Sequence, residues 1–145
     1  MSVRRGQNWG ESGSLPVDGI TVGTDAELRA IITEARRTHL DLPVVGLLGG
    51  DLHRTLGGRH ELGNTEENKA ARVTVDIGSA LVDGRLYWFS AHLVAGSWWR
   101  GRVWVAALAA YYGRWNLAPR AHPGDGLLDF LDTELGPGDR MAARK

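Results

Sequence analysis

Between Asp25 and Thr38 apolar residues return every three or four positions. Leu28, Ile31, Ile32 and Ala35 share one face, while Glu34, Arg36 and Arg37 lie off it. That spacing predicts an amphipathic helix over 24–38. Thr24 followed by Glu27 is a capping box, in which each side chain satisfies a backbone N–H of the first turn. Before the helix, "GITV" (Gly19 to Val22) reads as a short strand. After it, "LPVVGLLGGD" (Leu42 to Asp51) is a continuous apolar run ending in glycines. Such a run predicts a strand buried on both faces that opens into a loop at its C-terminal end. Strand, helix, strand and glycine loop form the tail of an α/β unit.

The period changes in the second half. Val73, Val75 and Ile77 alternate, "DG" follows at Asp83–Gly84, and another β-rich run begins at Arg85. Alternation around an Asp-Gly pair predicts a β-hairpin. "RVWVAALAAYY" and "GLLDFLD" supply two more strands. In the first of these, alternation sets Trp104 opposite Val103 and Val105, which assigns part of the tryptophan group to the core. The closing "GPGDRMAARK" reads as the opening of a helix. Residues 1–17 carry glycine, serine and proline without a period and read as a flexible N-terminal arm. The polar stretch from Gly57 to Ala71 marks an internal boundary. The chain therefore divides into the arm (1–17), a partial α/β segment (18–58) and a β-rich region (72–145). The fold class is mixed α+β, a short α/β remnant followed by an antiparallel, β-sandwich-like region.

Composition narrows the chemistry more than the fold. The 145 residues carry 17 Lys and Arg against 17 Asp and Glu. A zero net charge gives no large basic field and argues against a nucleic-acid binder. With no cysteine there is no disulfide, thiolate zinc site or cysteine nucleophile. His39, His53, His60, His92 and His122 show no zinc spacing, and no G-x-S-x-G elbow occurs. The longest apolar run, Val103 to Tyr112, has 10 residues, and a membrane span needs about 20. No signal peptide is legible, so the expectation is a cytoplasmic protein without a transmembrane span.

Three stretches carry candidate chemistry. In "GLLGGDLHRTLGG", glycines after a strand let backbone N–H groups approach a phosphate, with Asp51 placed to hold a metal or a sugar hydroxyl. A plain glycine-rich turn is the alternative. In "APRAHPGDG", Pro119, Pro123, Gly124 and Gly126 set a rigid turn around Asp125. A carboxylate joined by carbonyls is the ligand set magnesium prefers, though Asp125 could equally satisfy its own turn amides. Trp88, Trp98, Trp99, Trp104 and Trp115 cluster with Tyr111 and Tyr112 nearby, and "SWWRGR" sets two indoles beside Arg100 and Arg102. Such residues can stack bases, lie on lipid headgroups, or form a core or oligomer interface.

With those residues in view, the chain resembles the bacterial diacylglycerol kinases, whose relatives include sphingosine kinases and, more distantly, NAD kinases. The C-terminal domain of that family carries a strand, a tyrosine-glycine turn and then "APxAxxDDGLLDVV". Here Tyr112–Gly113, Ala118–Pro119, Ala121 and Asp125 to Asp129 fall in the corresponding places. The family's "GGDGTLNEV" is matched more loosely by Gly49, Gly50 and Asp51, with Thr55–Leu56 as a displaced "TL". The matches span about residues 20–132.

The resemblance implies a nucleotide or phosphate site at Gly49, Gly50, Asp51 and Thr55. It also implies a magnesium held by Asp125 with carbonyls near His122 and Leu127, and ATP as co-substrate. Two departures bear on activity. Only the last third of the family's nucleotide domain has a counterpart, and the acid that serves the family as general base has none. The implied protein binds a nucleotide, phosphate or lipid ligand with little or no kinase activity by itself. The alternatives are an active lipid kinase completed by dimerisation and a non-catalytic homo-oligomeric interaction protein.

Overall fold

A computed structural model describes residues 10–17, 19–58, 70–97, 100–134 and 136. Of these, 18% are helical and 38% lie in strands, so the protein is mixed α+β. In chain order come β1 (Glu11–Gly13), β2 (Ile20–Val22), α1 (Asp25–Thr38), β3 (Val45–Leu47), α2 (Gly50–Thr55) and β4 (Ala70–Arg72). The β-rich half adds β5 (Gly78–Val82), β6 (Arg85–Phe89), β7 (His92–Gly96) and β8 (Arg102–Ala107). It ends with β9 (Tyr111–Tyr112), β10 (Trp115–Asn116) and β11 (Asp129–Glu134).

The helix predicted over 24–38 is α1. Thr24 Oγ1 accepts from the Glu27 N–H at 3.2 Å, and the Glu27 carboxylate accepts from the Gly23 N–H at 2.7 Å. Leu28, Ile32 and Ala35 are its buried stripe. The flanking strands β2 and β3 pair in parallel, Ile20 opposite Val45 and Val22 opposite Leu47. β3 differs from its expected form. It is three residues long and half-buried, with Leu48 already exposed, because among the described residues one strand lies beside it.

The Asp-Gly hairpin is β5–β6. Asp83 and Gly84 have φ of 50° and 75°, the left-handed pair of a type I′ turn that matches strand twist. The strand starts later than the alternation suggests. Val73, Val75 and Ile77 turn inward without a sheet partner, and the Asp76 N–H donates to the Pro123 carbonyl at 2.7 Å. Their period records burial, Val75 and Ile77 against the core that Leu28 and Leu52 share, rather than a ladder. The other predicted strands meet in an antiparallel sheet of order β11-β8-β7. The N-terminal arm also needs correction. Its residues 11–13 form β1, antiparallel to β4 with Glu11 opposite Arg72. The helix expected in the closing segment falls on residues 137–145 and lies outside the described residues.

Two cores result. One gathers Val22, Leu28, Ile32 and Leu52 with Ala91 and Ala109, so it draws on both halves of the chain. The other sits under the inner face of the three-stranded sheet, where Val103, Val105 and Ala107 meet Ala118. Trp104 points the other way and is 45% exposed.

Candidate functional site

The glycine stretch of the sequence folds as the short helix α2 rather than an open phosphate loop. Gly49 is extended at its N-cap and has no side chain to offer. Gly50 has φ +97°, where a Cβ would come within 2.7 Å of Asp25. The cap comes from that aspartate instead. Asp25 accepts from the Asp51 N–H at 2.6 Å and from the Leu52 N–H at 3.1 Å. The amides expected to approach a phosphate are thus already bonded to a carboxylate. Leu52 is fully buried behind them and anchors α2 in the core.

The rest of α2 is bonded to the segment around the β9–β10 turn. The Thr55 hydroxyl donates to the Asp51 carbonyl at 2.8 Å and accepts from the Ala110 N–H at 3.1 Å. Asp51 Oδ1 accepts from the Gly113 N–H at 2.9 Å, and Arg54 donates to the Gly113 carbonyl at 2.8 Å. The Arg54 guanidinium lies 4.3 Å over the Tyr111 ring, a cation–π contact that holds it in place. Between these groups runs a cleft of about 360 Å³ lined by Gly50, Asp51, His53, Arg54, Gly58 and Gly113.

Behind the cleft stands His92, whose side chain is only 5% exposed. One ring nitrogen, Nε2, lies 3.0 Å from the Ala109 carbonyl, and Nδ1 lies 3.9 Å from Asp51 Oδ2. A carbonyl can only accept, so the neutral ring carries its proton on Nε2 and turns a lone pair toward Asp51. Tyr112 meets the ring edge-on at 5.3 Å. Burial pushes the imidazole below its ordinary pKa. The Ala109 carbonyl and the carboxylates of Asp51 and Asp25 pull the other way without reversing the shift. At neutral pH His92 is uncharged.

Gly49, Gly50, Asp51 and Thr55 therefore share one neighbourhood, in which Thr55 is structural. Asp25, Arg54, His92 and Gly113 complete it. No motif marks the first three. An acid in the first turn of α1 and a histidine in a β-run each have commoner explanations, and only the packing of α1, α2, β7 and β9 joins them.

The "APRAHPGDG" loop lies apart from this cleft in sequence and in hydrogen bonding. Asp125 Oδ1 accepts from the Leu127 N–H at 2.9 Å, the Asx turn that its sequence position allows. Asp76 accepts from the Gly126 N–H at 2.8 Å, and the His122 carbonyl accepts from the Asp125 N–H at 3.4 Å. No group of three or more histidine and acidic residues among the described residues is placed to hold a metal.

The described tryptophans lie on three different strands, β6, β8 and β10. Trp88 packs on the first core beneath Arg36. Trp104 donates to Asp132 at 2.7 Å on the outer sheet face, beside the Arg102–Asp132 ion pair. Trp115 is on β10 and Arg100 is exposed in the β7–β8 connection, while Trp98 and Trp99 lie outside the described residues. No described helix is long and apolar enough to cross a membrane.

Fold and site together define a mixed α+β protein with a polar cleft between a short helix and a β-turn. No family model, curated protein or solved structure matches the chain.

Proposed function

We propose that this protein is a reduced relative of the diacylglycerol kinases that binds a phosphate-bearing ligand in the cleft between α2 and the β9–β10 turn. One observation carries the reading. The Asp51–Gly113 hydrogen bond joins the two segments that resemble that family, "GGD" and "YYG", across 62 residues of sequence. In this reading residues 18–58 are the end of a nucleotide domain. The region 72–145 corresponds to the family's β-sandwich-like C-terminal domain.

Arg54 is the ligand's anion partner, since a guanidinium fork suits phosphate oxygens. The Asp51 and Leu52 amides are bonded to Asp25 and contribute nothing to it. Phosphoryl transfer needs a positioned acceptor and stabilised phosphate charge. Among the described residues the cleft offers one guanidinium and no second Lys or Arg to clamp a transferring phosphate, so this reading has the protein bind without completing transfer. Magnesium belongs to this reading as the counter-ion of a nucleotide's phosphates.

A thermal-shift titration with ATP and ADP, with and without magnesium, tests it. A ligand at about 100 times its dissociation constant adds roughly 2.7 kcal/mol to the folded state. The expected result is a raised melting temperature that Arg54→Gln abolishes. A flat response to both nucleotides and to inorganic phosphate would remove the reading. Phosphorylation of diacylglycerol by the purified protein would instead favour an active kinase completed by dimerisation.

A second reading rests on a different surface. Phe130 (63% exposed), Trp104 and Leu128 stand on or beside the outer face of the β11-β8-β7 sheet. An exposed apolar sheet face suits a non-catalytic homo-oligomer. Light scattering decides it, since a monomer at working concentration excludes that interface.

A further inference from the structure

Two oppositely charged side chains stand in the cleft and do not meet. Asp51 and Arg54 are at i and i+3 on α2, a spacing at which carboxylate and guanidinium commonly pair. Each is instead bonded to one side of the same peptide unit, Asp51 to the Gly113 N–H and Arg54 to the Gly113 carbonyl. Gly113 acts as a spacer that holds the charges apart, and Tyr111 fixes the guanidinium from one face.

Among the described residues both groups are left incompletely satisfied. Arg54 has five N–H donors. Gly113 takes one of them, and no carboxylate among the described residues pairs with it. Asp51 Oδ1 is filled by Gly113. Its Oδ2 faces a lone pair of neutral His92 at 3.9 Å, beyond hydrogen-bonding reach. The cleft therefore presents an open fork of donors and an open anionic acceptor on opposite sides of one glycine.

A ligand that satisfies both must carry acceptor oxygens with negative charge and, close by, a hydroxyl that donates. A bare anion lacks the donor and leaves Asp51 Oδ2 unpaired. A neutral polyol leaves the guanidinium fork open. We infer that the cleft takes a phosphorylated polyol, its phosphate on Arg54 and a neighbouring hydroxyl donating to Asp51 Oδ2. The volume of about 360 Å³ is at the small end of ligand clefts. A glycerol or sugar phosphate is of a size to fill it. The inference rests on the cleft being the ligand site proposed above. The same chemistry is offered by a free polyol phosphate, by the ribose-phosphate of a nucleotide and by a glycerophosphate lipid headgroup.

The test is binding of glycerol 3-phosphate, sulfate, glycerol and ATP to the whole chain, read by calorimetry and by amide NMR shifts at Gly113 and Gly50. Glycerol 3-phosphate is expected to bind at least about tenfold more tightly than sulfate, the effect of one hydrogen bond to a charged group. Glycerol is expected not to bind. Arg54→Gln should weaken glycerol 3-phosphate by about tenfold or more. Asp51→Asn keeps an oxygen for the Gly113 N–H and should erase the preference over sulfate. Vesicles of phosphatidylglycerol against phosphatidylcholine separate a lipid source from a free one.

Equal affinity for sulfate and glycerol 3-phosphate overturns the inference and leaves an anion site. Binding of ATP without any polyol phosphate overturns it and leaves the nucleotide reading standing. Binding that neither variant alters overturns it by placing the site elsewhere. No binding of any of these ligands removes both the inference and the reading beneath it.

Discussion

Replacing Asp25 by alanine removes the side chain that caps α2. Its carboxylate accepts two N–H groups, at 2.6 and 3.1 Å, from the first residues of a six-residue helix whose own N-cap is a glycine. A lost N-cap typically costs about 1 kcal/mol, and a hydrogen bond to a charged group about 1.5–3 kcal/mol. Asp25 is only partly buried, so water recovers part of the loss. We expect about 2 kcal/mol for Asp25→Ala, and about 1 kcal/mol for Asp25→Asn, which retains one acceptor oxygen. For a chain of this size 2 kcal/mol lowers the melting temperature by roughly 8 °C. Urea unfolding followed by tryptophan fluorescence measures it, because Trp88 packs on the core that α2 enters. Glu27→Ala is the control. It removes one exposed capping bond, to Gly23, and should cost about 0.5 kcal/mol. If Asp25→Ala unfolds within about 0.5 kcal/mol of the parent protein, the cap does not hold α2 in place. The site built on α2 would then need another support.

Other outcomes follow from the same packing. Burial lowers the His92 pKa in the folded state, so in mildly acid solution the unfolded chain binds the extra proton. Stability is then full above the ordinary histidine value of about 6.5 and falls as pH drops through the depressed folded value. His92→Gln should flatten that slope in melts taken between pH 7 and pH 4, and an unchanged slope would assign it to other groups. Thr55→Val loses a donor to Asp51 and an acceptor for Ala110 in one change, and should cost about 1–2 kcal/mol in chemical unfolding. The buried Ser90 hydroxyl finds no partner among the described residues, so Ser90→Ala should leave the melting temperature unchanged or raise it. Gly78→Ala would set a Cβ within 2.3 Å of the buried Phe89 ring directly opposite, and a loss of about 1–3 kcal/mol is expected.

Local signals in the sequence were most reliable where the chain's own neighbours decide the conformation. The capping box of α1, the positive φ of Asp83 and Gly84 and the alternation of β8 all depend on contacts a few residues away. Each appears in the structure at its predicted place. The readings that needed correction share a different cause. "LPVVGLLGGD" is apolar enough for a central strand, but a strand is central only when others flank it, and β3 has one partner among the described residues. Val73, Val75 and Ile77 alternate because one side faces a core, which happens without a sheet. Residues 11–13 carry no period, yet β4, more than fifty residues on, supplies a ladder for them.

The candidate site divides along the same line. Sequence alone determined that Asp51 follows a glycine pair after a strand, that Arg54 is three residues along, and that no cysteine or zinc motif competes with them. It also determined that Asp125 stands in a turn whose amides it can bond. Which groups face one another is a property of the tertiary structure. Asp25 reaches Asp51 and Leu52 across 26 and 27 residues, and Gly113 separates Asp51 from Arg54 across about 60. The His92 pKa is lowered because the fold buries the ring, against the opposing pull of the Ala109 carbonyl that accepts from it. Periodicity and turn chemistry act over a few residues and can be read in order. Burial, charge separation and a hydrogen bond between distant loops exist only once the chain has closed on itself.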